Sequence, residues 1–124
     1  DVLKTKKVIC EIPIYHQPLM YAGTPDIVID GVAIIDIKTR KVDKTRDSLQ
    51  LVAYKELHLQ HGGIKANYKL IVLRLEPCPI TGKIYKETEV EHKKAWPMFR
   101  IMLDRYYDDI EFERKIEGWR RTWK

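Results

Sequence analysis

Apolar and polar positions come in short β-like blocks over the first third of the chain and then switch to helical spacing. Val8 to His16 is rich in β-branched and aromatic residues and reads as a strand, with Pro13 assigning it to an edge or a bulge. Met20 to Ile29 runs through Gly23-Thr24-Pro25-Asp26 into Ile27-Val28-Ile29, and a second apolar run, Val32 to Ile37, follows Asp30-Gly31. An Asp-Gly pair between two β-branched runs signals a hairpin. Lys38 to Asp47 is charged, has no apolar periodicity and reads as a loop. Leu49, Val52, Ala53, Leu57 and His61 then recur three and four apart, with Asp47 or Ser48 placed to cap and Gly62-Gly63 to stop, which predicts a helix of about fourteen residues. Tyr68 to Leu75 and Lys83 to Val90 read as an antiparallel strand pair around Pro77, Pro79 and Gly82. His92 to Glu117 sets Trp96, Phe99, Met102, Tyr106 and Ile110 at helical intervals, which predicts a long amphipathic helix covering one sheet face. The order βββαββα describes an α/β domain, a mixed central sheet flanked by helices rather than a doubly wound parallel one.

Composition narrows the setting. With 124 residues, 44% of them apolar, the chain suits one domain spanning residues 1–124, either complete or a module of a longer polypeptide, since it opens at Asp1. No apolar run approaches the roughly 18 residues of a membrane span, and no signal-peptide pattern is visible, so a cytoplasmic setting without membrane contact is expected. Two cysteines, Cys10 and Cys78, support neither a disulfide framework nor a cysteine-ligated cluster. The net charge of +5 favours an anionic partner, although 18 acidic residues among 23 basic ones leave most of the surface mixed.

The candidate chemistry lies on the hairpin. Asp26 stands before its first arm, Asp36 on its second, and Lys38 two residues further on. Residues two apart in a strand share a face, so the Asp36 carboxylate and the Lys38 ammonium project together, with Ile35 and Ile37 turned away. Two carboxylates converging across a hairpin repel unless a cation separates them, and a hard divalent ion fits oxygen donors. Convergence has a register condition. Cross-strand partners share a face, so the numbers of paired residues must sum to an even total, whereas a two-residue turn at Asp30-Gly31 gives an odd one. A three-residue loop or a bulge with glycine in the left-handed position is therefore predicted.

Three motifs stand in order: Gly23-Thr24-Pro25-Asp26, Asp36-Ile37-Lys38-Thr39 and Gln50-Leu51-Val52-Ala53-Tyr54. In this the stretch from Val8 to Leu57 resembles the PD-(D/E)XK nuclease superfamily, in its RecB-like and phage-type exonuclease branch. The resemblance implies a restriction-endonuclease-like core and a Mg²⁺- or Mn²⁺-dependent deoxyribonuclease. It implies action on single strands or DNA ends in recombination, repair or phage DNA processing, with DNA and a recombination or replication protein as partners. It also implies Asp26, Asp36 and the Ile37 backbone carbonyl as metal ligands, Lys38 beside them as the catalytic cation, and Gln50, Tyr54, Thr39 and Arg40 toward the substrate. Relatives draw a further ligand from upstream of the Gly-x-x-Asp, for which Glu11 or a residue on a preceding helix is the candidate. His16, His58, His61 and His92 show no metal spacing, and His58 and His61 are expected at a solvated helix end. The competing reading is an inactive relative that binds nucleic acid or a protein through the same sheet.

Overall fold

The computed structural model describes residues 7–75, 85–90 and 93–123. The turn expected around Pro77, Pro79 and Gly82, together with Cys78 and His92, lies outside the described residues. The chain folds as a mixed α/β unit: β1 (Val8–Cys10), β2 (Ile14–His16), β3 (Tyr21–Gly23), β4 (Ile27–Ile29), β5 (Ala33–Lys38), α1 (Lys44–Gln60), β6 (Lys69–Leu75), β7 (Tyr85–Glu89) and α2 (Ala95–Arg120). Five strands form the main sheet in the order β1-β4-β5-β6-β7, and β2 pairs with β3 in a separate ribbon. Within the sheet β5 and β6 are parallel and the other neighbours antiparallel. A parallel pair needs a long crossover, and α1 supplies it.

Five strands thus precede α1 where three were expected, because each of the first two runs is broken once. Glu11 takes φ 51°, and its N–H makes a last bond to Asp26 O at 3.1 Å before Ile12 and Pro13 leave the sheet. The second run is interrupted at Thr24-Pro25, where proline has no N–H for a ladder. The hairpin itself meets the parity condition. Ile29 pairs with Ala33 and Ile27 with Ile35, so Asp30-Gly31-Val32 is a three-residue loop, closed by Val32 N–H on Ile29 O at 2.9 Å. Gly31 sits at φ +76°, where a side chain would be strained.

Helix α1 begins at Lys44, a full turn before Ser48, which corrects the reading of 38–47 as loop throughout. Asp43 is the N-cap, its carboxylate accepting from Arg46 N–H at 3.1 Å. Asp47 reaches back to accept from Asp43 N–H at 2.9 Å and is fully buried beneath the Arg40 guanidinium, which donates to it at 2.5 Å. Charged hydrogen bonds rather than apolar burial hold this turn, so hydrophobic spacing could not reveal it.

The core lies on one sheet face. Val28, Ile34, Leu70 and Val72 from the strands meet Leu51 and Val52 of α1 and Phe99 and Leu103 of α2. Ile34, Leu51, Leu57 and Leu70 are completely buried, and truncating any one to alanine is expected to cost about 2–5 kcal/mol. Helix α2 packs on α1 rather than covering a sheet face as its amphipathic pattern suggested, and only Ala95, Phe99 and Leu103 along it are buried. Both described helices therefore gather on the Ile34 side, and the opposite face leaves Ile27, Ile35 and Ile71 half-covered and Ile37 exposed. That corrects the expectation of helices flanking the sheet.

Candidate metal and phosphate site

The register brings Asp26 opposite Asp36. One residue beyond the last β4–β5 rung, the Asp26 carboxylate replaces a backbone acceptor and takes the Ile37 N–H at 2.7 Å. Asp36 shares the face of Ile34 and so points to the helix side, where it is 3% exposed. Lys38 follows on the same face, its Nζ 2.9 Å from Asp36 Oδ2. That oxygen is buried and receives no well-aligned hydrogen bond, so the ammonium meets it as an ion pair. Burial, and then the neighbouring Asp26, push the Asp36 carboxyl up to about 6, against the opposing pull of Lys38.

Lys38 offsets only part of the cost of two apposed carboxylates, since the Asp36 carboxyl remains raised despite it, and a further cation would lower that cost. The donors fit a hard dication: Asp26, Asp36 and the backbone carbonyl of Ile37, which lies between Asp36 and Lys38 in the strand, offer oxygen only. Glu11 is exposed and turned by its positive φ. Among the described residues no three acidic, histidine or cysteine side chains gather closely enough to share a metal, so Glu11 does not join the two aspartates.

Gln50 and Tyr54 lie one turn apart on α1, and Gln50 Nε2 donates to the Tyr54 hydroxyl at 2.9 Å. A Cβ on Gly23 would come within 2.6 Å of Tyr54 Cε1, so the glycine gives the ring its place. The first and third motifs are thus in direct contact, and the glycine is required for space rather than for backbone conformation. Burial raises the Tyr54 hydroxyl pKa, while the Gln50 hydrogen bond opposes the shift. Together these residues border a groove of about 530 Å³ that runs between Lys38, Arg46, Gln50 and Tyr54 on one hand and Tyr21, Phe99 and Met102 on the other. Tyr21 is fixed there by donating to Ala53 O at 2.7 Å and by an edge contact with Phe99.

Of the remaining expected contacts, Thr39 is exposed just past β5. Arg40 is held by Asp47 and by the Lys41 carbonyl, so its guanidinium anchors the loop to α1. Tyr21, Phe99 and Met102 were not singled out as site residues, because their spacing is equally that of a core. His58 is a correction. Expected in solvent, it is 6% exposed and bonds through Nε2 to Asp30 Oδ1 at 2.8 Å. Asp30 Oδ1 also accepts from Ile64 N–H at 2.9 Å and Tyr68 OH at 3.2 Å, and the Ile64 N–H bond first, with His58 and Tyr68, lowers its pKa. This cluster ties the hairpin loop to the end of α1, away from the groove. No protein-family model matches the chain, and no curated protein is significantly similar to it.

Proposed function

We propose that the chain is a metal-dependent nuclease domain of the PD-(D/E)XK type, with a restriction-endonuclease-like core, that hydrolyses DNA phosphodiester bonds. The observation that carries the reading is the apposition of Asp26 and Asp36, with Lys38 Nζ 2.9 Å from Asp36 Oδ2 and Lys38 itself lining a groove of basic and aromatic side chains. Asp26, Asp36 and the Ile37 carbonyl hold Mg²⁺ or Mn²⁺. The bound dication supplies Lewis acidity toward a phosphate oxygen and toward water. Lys38 orients the attacking water and offsets the charge that builds on the phosphorus oxygens as the bond breaks. Tyr54, held by Gln50 and seated on Gly23, positions the strand across the groove. A groove lined by Lys38, the ion-pair partner of Asp36, together with aromatic side chains favours single strands or DNA ends over an intact duplex, which matches an exonuclease of recombination, repair or phage DNA processing.

A binding module gains nothing from a repulsive carboxylate pair, so the retention of both acids and the lysine supports catalysis over binding alone. The test incubates the domain with end-labelled linear and circular DNA, single- and double-stranded, in Mg²⁺, Mn²⁺ or chelator. Cleavage of linear single strands that disappears in chelator and in Asp36→Ala is expected. Binding of every substrate with cleavage of none, at saturating metal, refutes the nuclease reading in favour of an inactive module.

A further inference from the structure

Helix α2 is 26 residues long, yet only Ala95, Phe99 and Leu103 of it are buried, all near its start. The Tyr107 hydroxyl still donates to the Met20 carbonyl. From Asp108 to Arg120 every side chain is exposed except those of Ile110 and Ile116, which are half-buried. A stretch of this length is marginal as a helix in water by itself, and most helices persist because something covers one face.

The exposed part carries such a face. Phe112, Ile116, Trp119 and Trp123 recur four, three and four residues apart and so line one side. Phe112, Trp119 and Trp123 are each more than half exposed, and the two indoles meet edge to face at 4.5 Å. Adjoining uncovered aromatic rings mark a contact surface.

The charges around the stripe identify what covers it. Residues 104–113 hold five acids and one arginine, whereas 114–123 hold four cations and one glutamate. The helix dipole does not account for this division, because it acts within the first and last turns and the acids begin well past the first. Two pairs within the helix, Lys115 with Glu111 and Arg121 with Glu117, are long at 3.6 Å and exposed, so they neutralise little. A parallel copy would set acids on acids. An antiparallel copy sets each acidic half on a basic one, and the spacing permits it: reversal about Arg114 maps Phe112 onto Ile116, Asp109 onto Trp119 and Arg105 onto Trp123, so the stripe falls on itself. The same reversal faces Asp108 with Arg120 and Glu113 with Lys115. Arg114 itself lies about 200° round the helix from Phe112, away from the seam.

We propose that α2 pairs antiparallel with α2 of a second copy of this chain, across a two-fold axis at Arg114, burying Phe112, Ile116, Trp119 and Trp123. In that pairing the Arg105 guanidinium meets the Trp123 ring and the Asp109 carboxylate meets the Trp119 N–H. The seam shares no residue with the groove beside Lys38, so the dimer is independent of the nuclease reading.

Sedimentation velocity of the whole chain over a concentration series should show a monomer–dimer equilibrium that weakens as salt rises. The substituted residues are exposed, so their replacement leaves the fold intact, which melting curves check. Phe112→Ser with Trp119→Ser should weaken association by at least about tenfold, as for loss of buried aromatic anchors. Asp108→Arg alone and Arg120→Asp alone each set two like-charged pairs across the axis and should weaken it about tenfold. Both reversals in one chain restore opposite charges and should return the dissociation constant to within about threefold of the wild type. Mixing the two single variants should likewise give a heterodimer, a rescue that a local effect on one helix cannot produce. A wild type that is monomeric at every concentration, or a dimer for which the double reversal is no better than the single ones, overturns the pairing. A monomer whose tryptophan emission shifts on adding anionic vesicles or oligothymidylate also overturns it and assigns the stripe to that ligand.

Discussion

Replacing Asp36 by asparagine should stabilise the metal-free protein, an outcome opposite to that of most buried substitutions. In the fold the carboxyl moves from 3.8 to about 6, which at neutral pH corresponds to a cost on the order of 3 kcal/mol for keeping it ionised. Asparagine has nearly the same shape and no charge, but it leaves Lys38 without its ion-pair partner, so a net gain of about 1–2 kcal/mol is expected. At about 2.1 cal/mol/K per residue, 124 residues give roughly 4 °C per kcal/mol, and Tm in chelator should rise about 4–8 °C at pH 7.5. The sign with pH follows from the direction of the shift. The folded-state value lies above the unfolded one, so the wild type takes up a proton on folding between about 6 and 3.8 and gains stability as the pH falls through that window. The advantage of asparagine should therefore shrink below pH 6 and vanish below 3.8. Added Mg²⁺ should invert the order, raising the wild-type Tm by mass action and leaving the variant nearly unmoved. Thermal melts at several pH values, with chelator and with Mg²⁺, measure all three. A variant that melts lower than the wild type in chelator at pH 7.5 would show that the carboxylate stabilises the fold, and the argument for a cation between Asp26 and Asp36 would lose its basis.

Lys38→Ala should reduce single-turnover cleavage by roughly a hundredfold or more while calorimetry still detects metal binding, since the lysine acts on developing charge rather than as a ligand. Gly23→Ala should destabilise by about 1–3 kcal/mol and slow cleavage, because its Cβ would meet Tyr54 Cε1 at 2.6 Å; Tyr54→Ala in the same chain should restore much of the lost stability in denaturant titrations. Asp30→Asn should cost about 1–3 kcal/mol at pH 7 by urea unfolding. The lowered pKa of Asp30 means that its contribution is present above 3.8 and lost as the pH falls through the still lower folded-state value, so the variant should lose less stability than the wild type on acidification in that range.

The hairpin was the most legible part of the sequence, since strand periodicity fixes which residues share a face, and convergence of Asp26 with Asp36 then requires an odd loop or a bulge, met here by Asp30-Gly31-Val32. The same period of two sets Asp36 and Lys38 side by side. The start of α1 was not legible, because Arg40, Asp43 and Asp47 hold it with charged hydrogen bonds that carry no periodic signature. His58 was misjudged for a related reason: its position near the helix end implied solvent, and only the tertiary return of Asp30 and Tyr68 buries it. The placement of α2 escaped because an apolar stripe shows that a helix face is covered without saying by what, and here α1 rather than the sheet receives it. Tyr54 was found as a motif residue, but its dependence on Gly23 is a contact between segments that spacing along the chain does not encode.

The three-residue loop behaves like a reading frame for the strand that follows it. Inserting or deleting one residue between Ile29 and Ala33, with the pairing otherwise kept, would turn β5 over, burying Ile35 and Ile37 and presenting Asp36 and Lys38 to the opposite face of the sheet. A change of two residues would preserve the phase. Length variation in this hairpin is therefore tolerable only in even steps or with a compensating bulge, a restriction that acts on the count of residues rather than on their identity, and one that a position-by-position substitution scan of the loop would never detect.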